Sequence, residues 1–212
     1  MPRSHVVISG TGRAGTSFLV ELLTHLGLDT GFTTDEIAKN KSLLARAGLE
    51  HDIRRPNAPF IVKSPWFCDY SEEILRRDDI SIKHVFIPMR DLQAAAESRR
   101  FVTAQTVAAM PLLDRVRYRL FPKGLVGGIW QTTDASRQEE ALLEQVYKLM
   151  LSLSATTVPV TLLRFPQIVN DPAYLFEKLR PILGQISFAG FRDVFCQVAR
   201  KDLVHSFSVN DR

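Results

Sequence analysis

Three observations in the sequence predict an α/β fold in which a mostly parallel sheet carries helices on both faces. First, the β-branched run Val6-Val7-Ile8 enters a Gly-rich turn and leaves as a helical pattern, Phe18, Leu19, Leu22, Leu23 and Leu26. Second, three further short buried-strand signals alternate with helical periodicity, and that alternation builds parallel sheets. Third, Arg13, Lys63 and Arg90 all fall at the C-terminal ends of strands, the edge where such sheets form their ligand crevice.

Each element has its own signal. Gly27 stops the first helix, which places Thr16 and Ser17 in its first turn, and Leu28 to Thr34 reads as a loop rich in Gly, Thr and Asp. A second helix is expected from Asp35-Glu36 to Ala47, capped by Thr34 or Asp35. Residues 51 to 59 carry charge and two prolines and deliver the strand Phe60-Ile61-Val62, which ends at Lys63-Ser64-Pro65-Trp66-Phe67 because Pro65 cannot continue a central strand. A helix over about Ser71 to Arg77 leads to the third strand, His84 to Arg90, and the helix Leu92 to Arg100 follows directly. From Phe101 to Gly128 the pattern is weak. Within it, the basic and amphipathic segment 115 to 123 fits an exposed helix, a cap over the site or an attractor of an anionic acceptor. Gly127-Gly128 marks a turn, Ser136 to Ser154 a long helix, and Val158 to Leu163 a fourth strand. Asp171-Pro172 opens a helix as N-cap and first-turn proline, Gly184 closes it, and the stretch through Phe188, Phe191, Phe195 and Val198 is helical.

With 212 residues the chain is expected to form a single domain over 1–212 with a substantial core. Its formal charge of +4 suits an anionic ligand, but no nucleic-acid-binding module accompanies it, so nucleic acid is not an expected partner. Cys68 and Cys196 are too few and too far apart for a disulfide framework or a zinc site. No apolar stretch reaches the ~18 residues of a membrane span, and the chain enters its first strand directly, so a cytoplasmic protein without a signal peptide is expected.

The chemistry concentrates in Gly10-Thr11-Gly12-Arg13-Ala14-Gly15-Thr16-Ser17. Glycines let the backbone approach an oxyanion, and the N–H groups of the following helix turn have no intrahelical acceptor. Gly10-x-x-x-x-Gly15-Thr16-Ser17 is nearly the pattern of a P-loop, but Thr16 stands where the Walker lysine belongs. The cation is instead Arg13, two residues before Gly15.

That displacement resembles the phosphosulfate-binding loop of the sulfotransferases that use 3′-phosphoadenosine 5′-phosphosulfate, whose fold is a P-loop NTPase-like three-layer sandwich. Three more segments agree in order. Arg90 at a strand end with Ser98 eight residues on is similar to the family's grip on the donor's 3′-phosphate. Lys63-Ser64-Pro65-Trp66-Phe67 resembles the Lys-Ser-Pro-aromatic segment of the heparan-type branch, and Pro65 stands where the cytosolic branch has its catalytic His. Leu162 to Pro172 is similar to the strand, turn and Asp-Pro helix start, with Phe165 in the aromatic position. Phe18 stands where the family often has a base-stacking Trp, and Arg200-Lys201 is similar to its C-terminal Arg-Lys-Gly, with Asp202 replacing the glycine.

The resemblance implies transfer of a sulfuryl group to a hydroxyl or amine, on a small-molecule or glycan acceptor, leaving adenosine 3′,5′-bisphosphate and requiring no metal. It assigns Gly12, Arg13, Ala14, Gly15, Thr16 and Ser17 to the 5′-phosphosulfate, Lys63 to the bridging oxygen, Arg90 and Ser98 to the 3′-phosphate, and Phe18 and Phe165 to the base. Asp35 or Glu36 is implied as general base, with His51 and Asp52 in reserve. Apart from the resemblance, Trp66, Phe67 and Trp130 hint at an aromatic-lined acceptor pocket, and packing in the core is the other reading of them. Two other readings remain open at this point: a P-loop kinase of a small molecule, and a nucleotide-binding protein of the same fold without catalysis.

Overall fold

The computed structural model describes residues 1–40, 48–121, 124–125 and 127–200. Four strands, β1 (Arg3–Ile8), β2 (Ile61–Lys63), β3 (Ile80–Met89) and β4 (Val160–Arg164), form one sheet in the order β2-β1-β3-β4. Every neighbouring pair is parallel. Both faces of the sheet are buried, and the period of two along each strand shows how. Val6, Ile8, Ile61 and Phe86 belong to one apolar cluster, whereas Val7, Val62, Val85 and Ile87 belong to another.

Helices supply the other half of each cluster. The first is completed by α1 (Thr16–His25), α7 (Gln167–Asn170), α8 (Pro172–Leu183) and α9 (Phe188–Val198), through residues such as Leu22, Ile168, Leu179 and Phe191. The second is completed by α3 (Phe67–Leu75) and α6 (Gln138–Ser154), through Phe67, Ile74, Leu149 and Leu153. The chain is therefore an α/β protein with a four-stranded, all-parallel sheet and helices against both faces.

Several helices differ in extent from their sequence signals. α2 covers Thr34–Asn40, and the rest of the stretch expected to reach Ala47 lies outside the described residues. α3 starts at Phe67 instead of Ser71, because the Phe67 ring is needed in the core and is wholly buried. α4 (Leu92–Ala109) runs nine residues past Arg100, since nothing breaks it until Pro111, before which Met110 is extended. α5 (Leu112–Leu120) then forms in the basic segment. Asp91 and Asp171 cap α4 and α8 by accepting from the Ala94 and Tyr174 N–H groups.

The strand order also locates the crevice. From β1 the chain passes through α1 to β2 on one side, and from β3 it passes through α4 to β4 on the other. Connections leaving two adjacent strands in opposite directions open a gap at their C-terminal ends. Arg13 follows β1 and Arg90 follows β3, so this gap lies between them.

Candidate active site

The loop between β1 and α1 is held in a shape that few sequences tolerate. Gly12, Arg13 and Gly15 all have positive φ, at 64°, 56° and 85°. A side chain at Gly12 would put its Cβ 2.8 Å from an Arg99 nitrogen, and one at Gly15 would lie 2.9 Å from Ile168 Cδ1. Arg13 adopts the left-handed conformation without being glycine, which stores backbone strain at the turn. Gly15 is also the N-cap of α1 and has no side chain to satisfy the first-turn N–H groups. Those donors, with the helix dipole behind them, favour an anion.

Four cations gather around this turn. Arg90 Nη1 donates to the Arg13 carbonyl at 2.9 Å, Arg13 Nε donates to Ser98 Oγ at 3.1 Å, and the Arg90 guanidinium lies 4.9 Å from the centre of the Phe165 ring. Ser98 Oγ accepts from Arg13, which leaves its own hydroxyl hydrogen to donate. Arg99, 5% exposed, donates to the carbonyls of Gly128 and Thr11 at 2.6 and 2.5 Å. Its buried Nε has no acceptor, and no carboxylate pairs with it among the described residues. Burial, and next the charge of Arg13, lower its pKa to about 10, while burial lowers that of Arg90. Arginine stays charged nonetheless, so the fold carries the cost of positive charge held in a semi-dry cleft.

Lys63 is the fourth cation, 3% exposed at the end of β2. Its Nζ donates to Ser17 Oγ at 2.8 Å, to Glu50 Oε1 at 2.8 Å and to the Gly48 carbonyl. A lysine thus reaches the first turn of α1 from the neighbouring strand β2.

Gly12, Arg13, Gly15, Thr16, Ser17, Phe18, Lys63, Arg90, Ser98 and Phe165 line one cleft of ≈ 370 Å³. Of the loop residues assigned to the 5′-phosphosulfate by sequence, Ala14 is absent from the lining and wholly buried. Trp66 and Trp130 form part of the wall with ring centres 5.9 Å apart, and Arg200 lies at the rim; Lys201 and Asp202 are outside the described residues. Phe67 does not join that wall, since its ring is packed edge-on against Tyr70 in the core.

Neither proposed carboxylate base lines the cleft. Glu36 is exposed at the start of α2, where one oxygen accepts from the Thr33 N–H at 2.8 Å and from Thr33 Oγ1 at 3.0 Å. Thr33 Oγ1 in turn accepts from the Glu36 N–H, so the pair is a capping box. These bonds hold the Glu36 carboxyl below its usual range and keep it on its own helix cap, outside the cleft. Asp35 is exposed beside it. Of the reserves, His51 packs against Phe32 and Asp52 is held by Arg54. The carboxylates that do line the cleft are Glu21 and Glu50.

Sequence reasoning missed Glu50 and Arg99. Glu50 lies in the charged connection before β2, where no periodicity marks it. Arg99 did leave a trace: it falls on the buried stripe of α4 with Ala95, Ala96 and Val102, where an arginine needs a reason. Among the described residues, no group of three or more His, Cys, Asp or Glu side chains could hold a metal ion, and neither cysteine is paired. No helix of the described residues is long and apolar enough to cross a membrane. No protein-family model matches the chain, and no curated protein matches it.

Proposed function

We propose that the chain is a sulfotransferase of P-loop-like three-layer architecture that moves a sulfuryl group from 3′-phosphoadenosine 5′-phosphosulfate to a hydroxyl or amine. The observation that carries this reading is the linked pair Arg13 and Arg90 at one cleft, with Arg90 bonded to the Arg13 carbonyl, Arg13 bonded to Ser98, and Lys63 entering from β2 in place of a loop lysine. A nucleotide with an anionic group at each end of its ribose uses both arginines. A nucleoside triphosphate has no group for Arg90 and Ser98. Arg99 supports the same guest, because a buried guanidinium without a carboxylate beside a second arginine is relieved by an anion.

The donor supplies an activated sulfuryl group on a phosphate leaving group. Arg13 and the α1 N-terminus hold the 5′-phosphosulfate, and the glycines allow the backbone to approach it. Lys63 stabilises charge on the bridging oxygen as the bond from that oxygen to sulfur breaks and the bond from acceptor oxygen or nitrogen to sulfur forms. Glu50, already 2.8 Å from Lys63 Nζ and lining the cleft, receives the acceptor proton in place of Asp35 or Glu36. Catalysis is then positioning and charge stabilisation.

Thermal-shift measurements test the donor site. Adenosine 3′,5′-bisphosphate without magnesium should stabilise the protein more than Mg-ATP, and the reverse order would replace this reading with a kinase. Transfer of labelled sulfate from the donor to a panel of alcohols, phenols and amines then tests catalysis. Strong nucleotide binding with no transfer to any acceptor would leave a binding protein.

A further inference from the structure

α5 wears its amphipathic pattern inside out. Leu112, Leu113, Val116 and Leu120 recur at helical spacing and make one apolar stripe, yet no residue of the helix is buried. Leu113 is 84% exposed, Leu120 68% and the following Phe121 73%. The side turned toward the body is polar: Arg115 and Tyr118 are half-buried, and Arg115 Nη2 donates to the carbonyls of Ala108 and Met110 at 2.8 and 3.2 Å, at the end of α4. The helix is thus tethered through its arginine and offers its leucines outward.

Charge says what covers them. At about 100° per residue, Arg117 and Arg119 lie just beyond the two margins of the stripe. Three arginines stand against one aspartate over Leu112–Leu120, and the whole chain is positive. Long cationic stems flanking an apolar stripe suit the boundary of a bilayer, where the leucines enter the acyl region and the guanidinium groups reach anionic headgroups. A second copy seated on the same stripe would set arginines against arginines, a like-charge contact that opposes pairing.

We propose that α5 docks the protein on an anionic lipid surface. The chain passes from Phe121 to Gly124 and Leu125, which line the cleft, so the docking helix and the cleft wall are one short segment. Docking depends on α5 and not on the reaction that the cleft performs.

Co-sedimentation of the full chain with vesicles tests it, using phosphatidylcholine alone and phosphatidylcholine mixed with phosphatidylglycerol. The protein should partition onto the mixed vesicles, and added salt should weaken the binding. Arg117→Gln and Arg119→Gln should each lower the partition coefficient about fivefold. Leu113→Glu/Leu120→Glu should lower it more than tenfold while circular dichroism and the nucleotide thermal shift stay unchanged, because neither side chain touches the core. Equal binding to both vesicle types, or full binding by the leucine variant, overturns the proposal. Self-association that the leucine variant abolishes, without vesicle binding, would assign the stripe to a second copy and overturn it equally.

Discussion

Replacing Arg90 by Met tests most cleanly whether the proposed 3′-phosphate site is distinct from the proposed 5′-phosphosulfate site. The methionine keeps an apolar stem near the Phe165 ring, on which the guanidinium now lies 4.9 Å from the centre, and removes the charge. One Arg90 nitrogen is directed at the Arg13 carbonyl, so the gain from a 3′-phosphate is taken as one charge-assisted hydrogen bond, about 1.5–3 kcal/mol. That corresponds to a factor of roughly 10 to 150 in affinity. The assay is calorimetry on the native protein and Arg90→Met with two ligands, adenosine 3′,5′-bisphosphate and adenosine 5′-monophosphate. Loss of the bond to Arg13 loosens the loop and weakens both nucleotides, and this common effect cancels in their ratio. The preference for the bisphosphate should collapse by the stated factor. If the ratio of the two affinities is the same in both proteins, Arg90 does not read a 3′-phosphate and the donor assignment is wrong.

Four further outcomes are expected. Glu50→Gln should reduce transfer by at least about 100-fold with nucleotide affinity little changed, whereas Glu36→Gln should lower the melting temperature slightly and leave transfer intact; the opposite pattern would restore the helix cap as base. Lys63→Met should cost about 100-fold or more in kcat, read by labelled-sulfate transfer, and an active variant would remove Lys63 from the leaving-group site. Gly12→Ala drives a Cβ to 2.8 Å from Arg99 in a left-handed turn, so bisphosphate binding measured by calorimetry should fall at least tenfold; unchanged affinity would show that the loop can relax. Finally, burial lowers the pKa of His5 and His84, so the folded state binds their protons less readily than the unfolded chain. Their contribution is present above about pH 6.5 and is lost as pH falls below it. Melting temperatures at pH 7.5 and 5.5 should therefore differ less in His5→Gln/His84→Gln than in the native protein, and an equal difference would clear both histidines.

Much of the site was legible because its parts are local. A Gly-rich turn must sit between a strand and a helix, and Arg13, Thr16 and Ser17 are placed by that turn alone. Asp171-Pro172 announces its helix in the same way, since the cap and the first turn are adjacent in sequence. Acidic residues at a helix start are ambiguous by nature. Glu36 looks the same in sequence whether it accepts a substrate proton or its own capping threonine, and only Thr33 at 2.8 Å distinguishes the two.

The sequence by itself located the four strands to within a few residues, the Gly-rich turn after the first of them and which side chains emerge from the C-terminal ends of the strands, because periodicity and turn chemistry act over a few residues. The tertiary structure alone decided that β1 and β3 are neighbours, and with that the meeting of Arg13 with Arg90 and Ser98 across 77 and 85 residues. It also decided that Glu50 stands beside Lys63, that Arg99 is buried behind Gly12, and that α5 turns its leucines away from the core. Each of these depends on packing between segments remote in the chain, and no local pattern carries the free energy of such contacts.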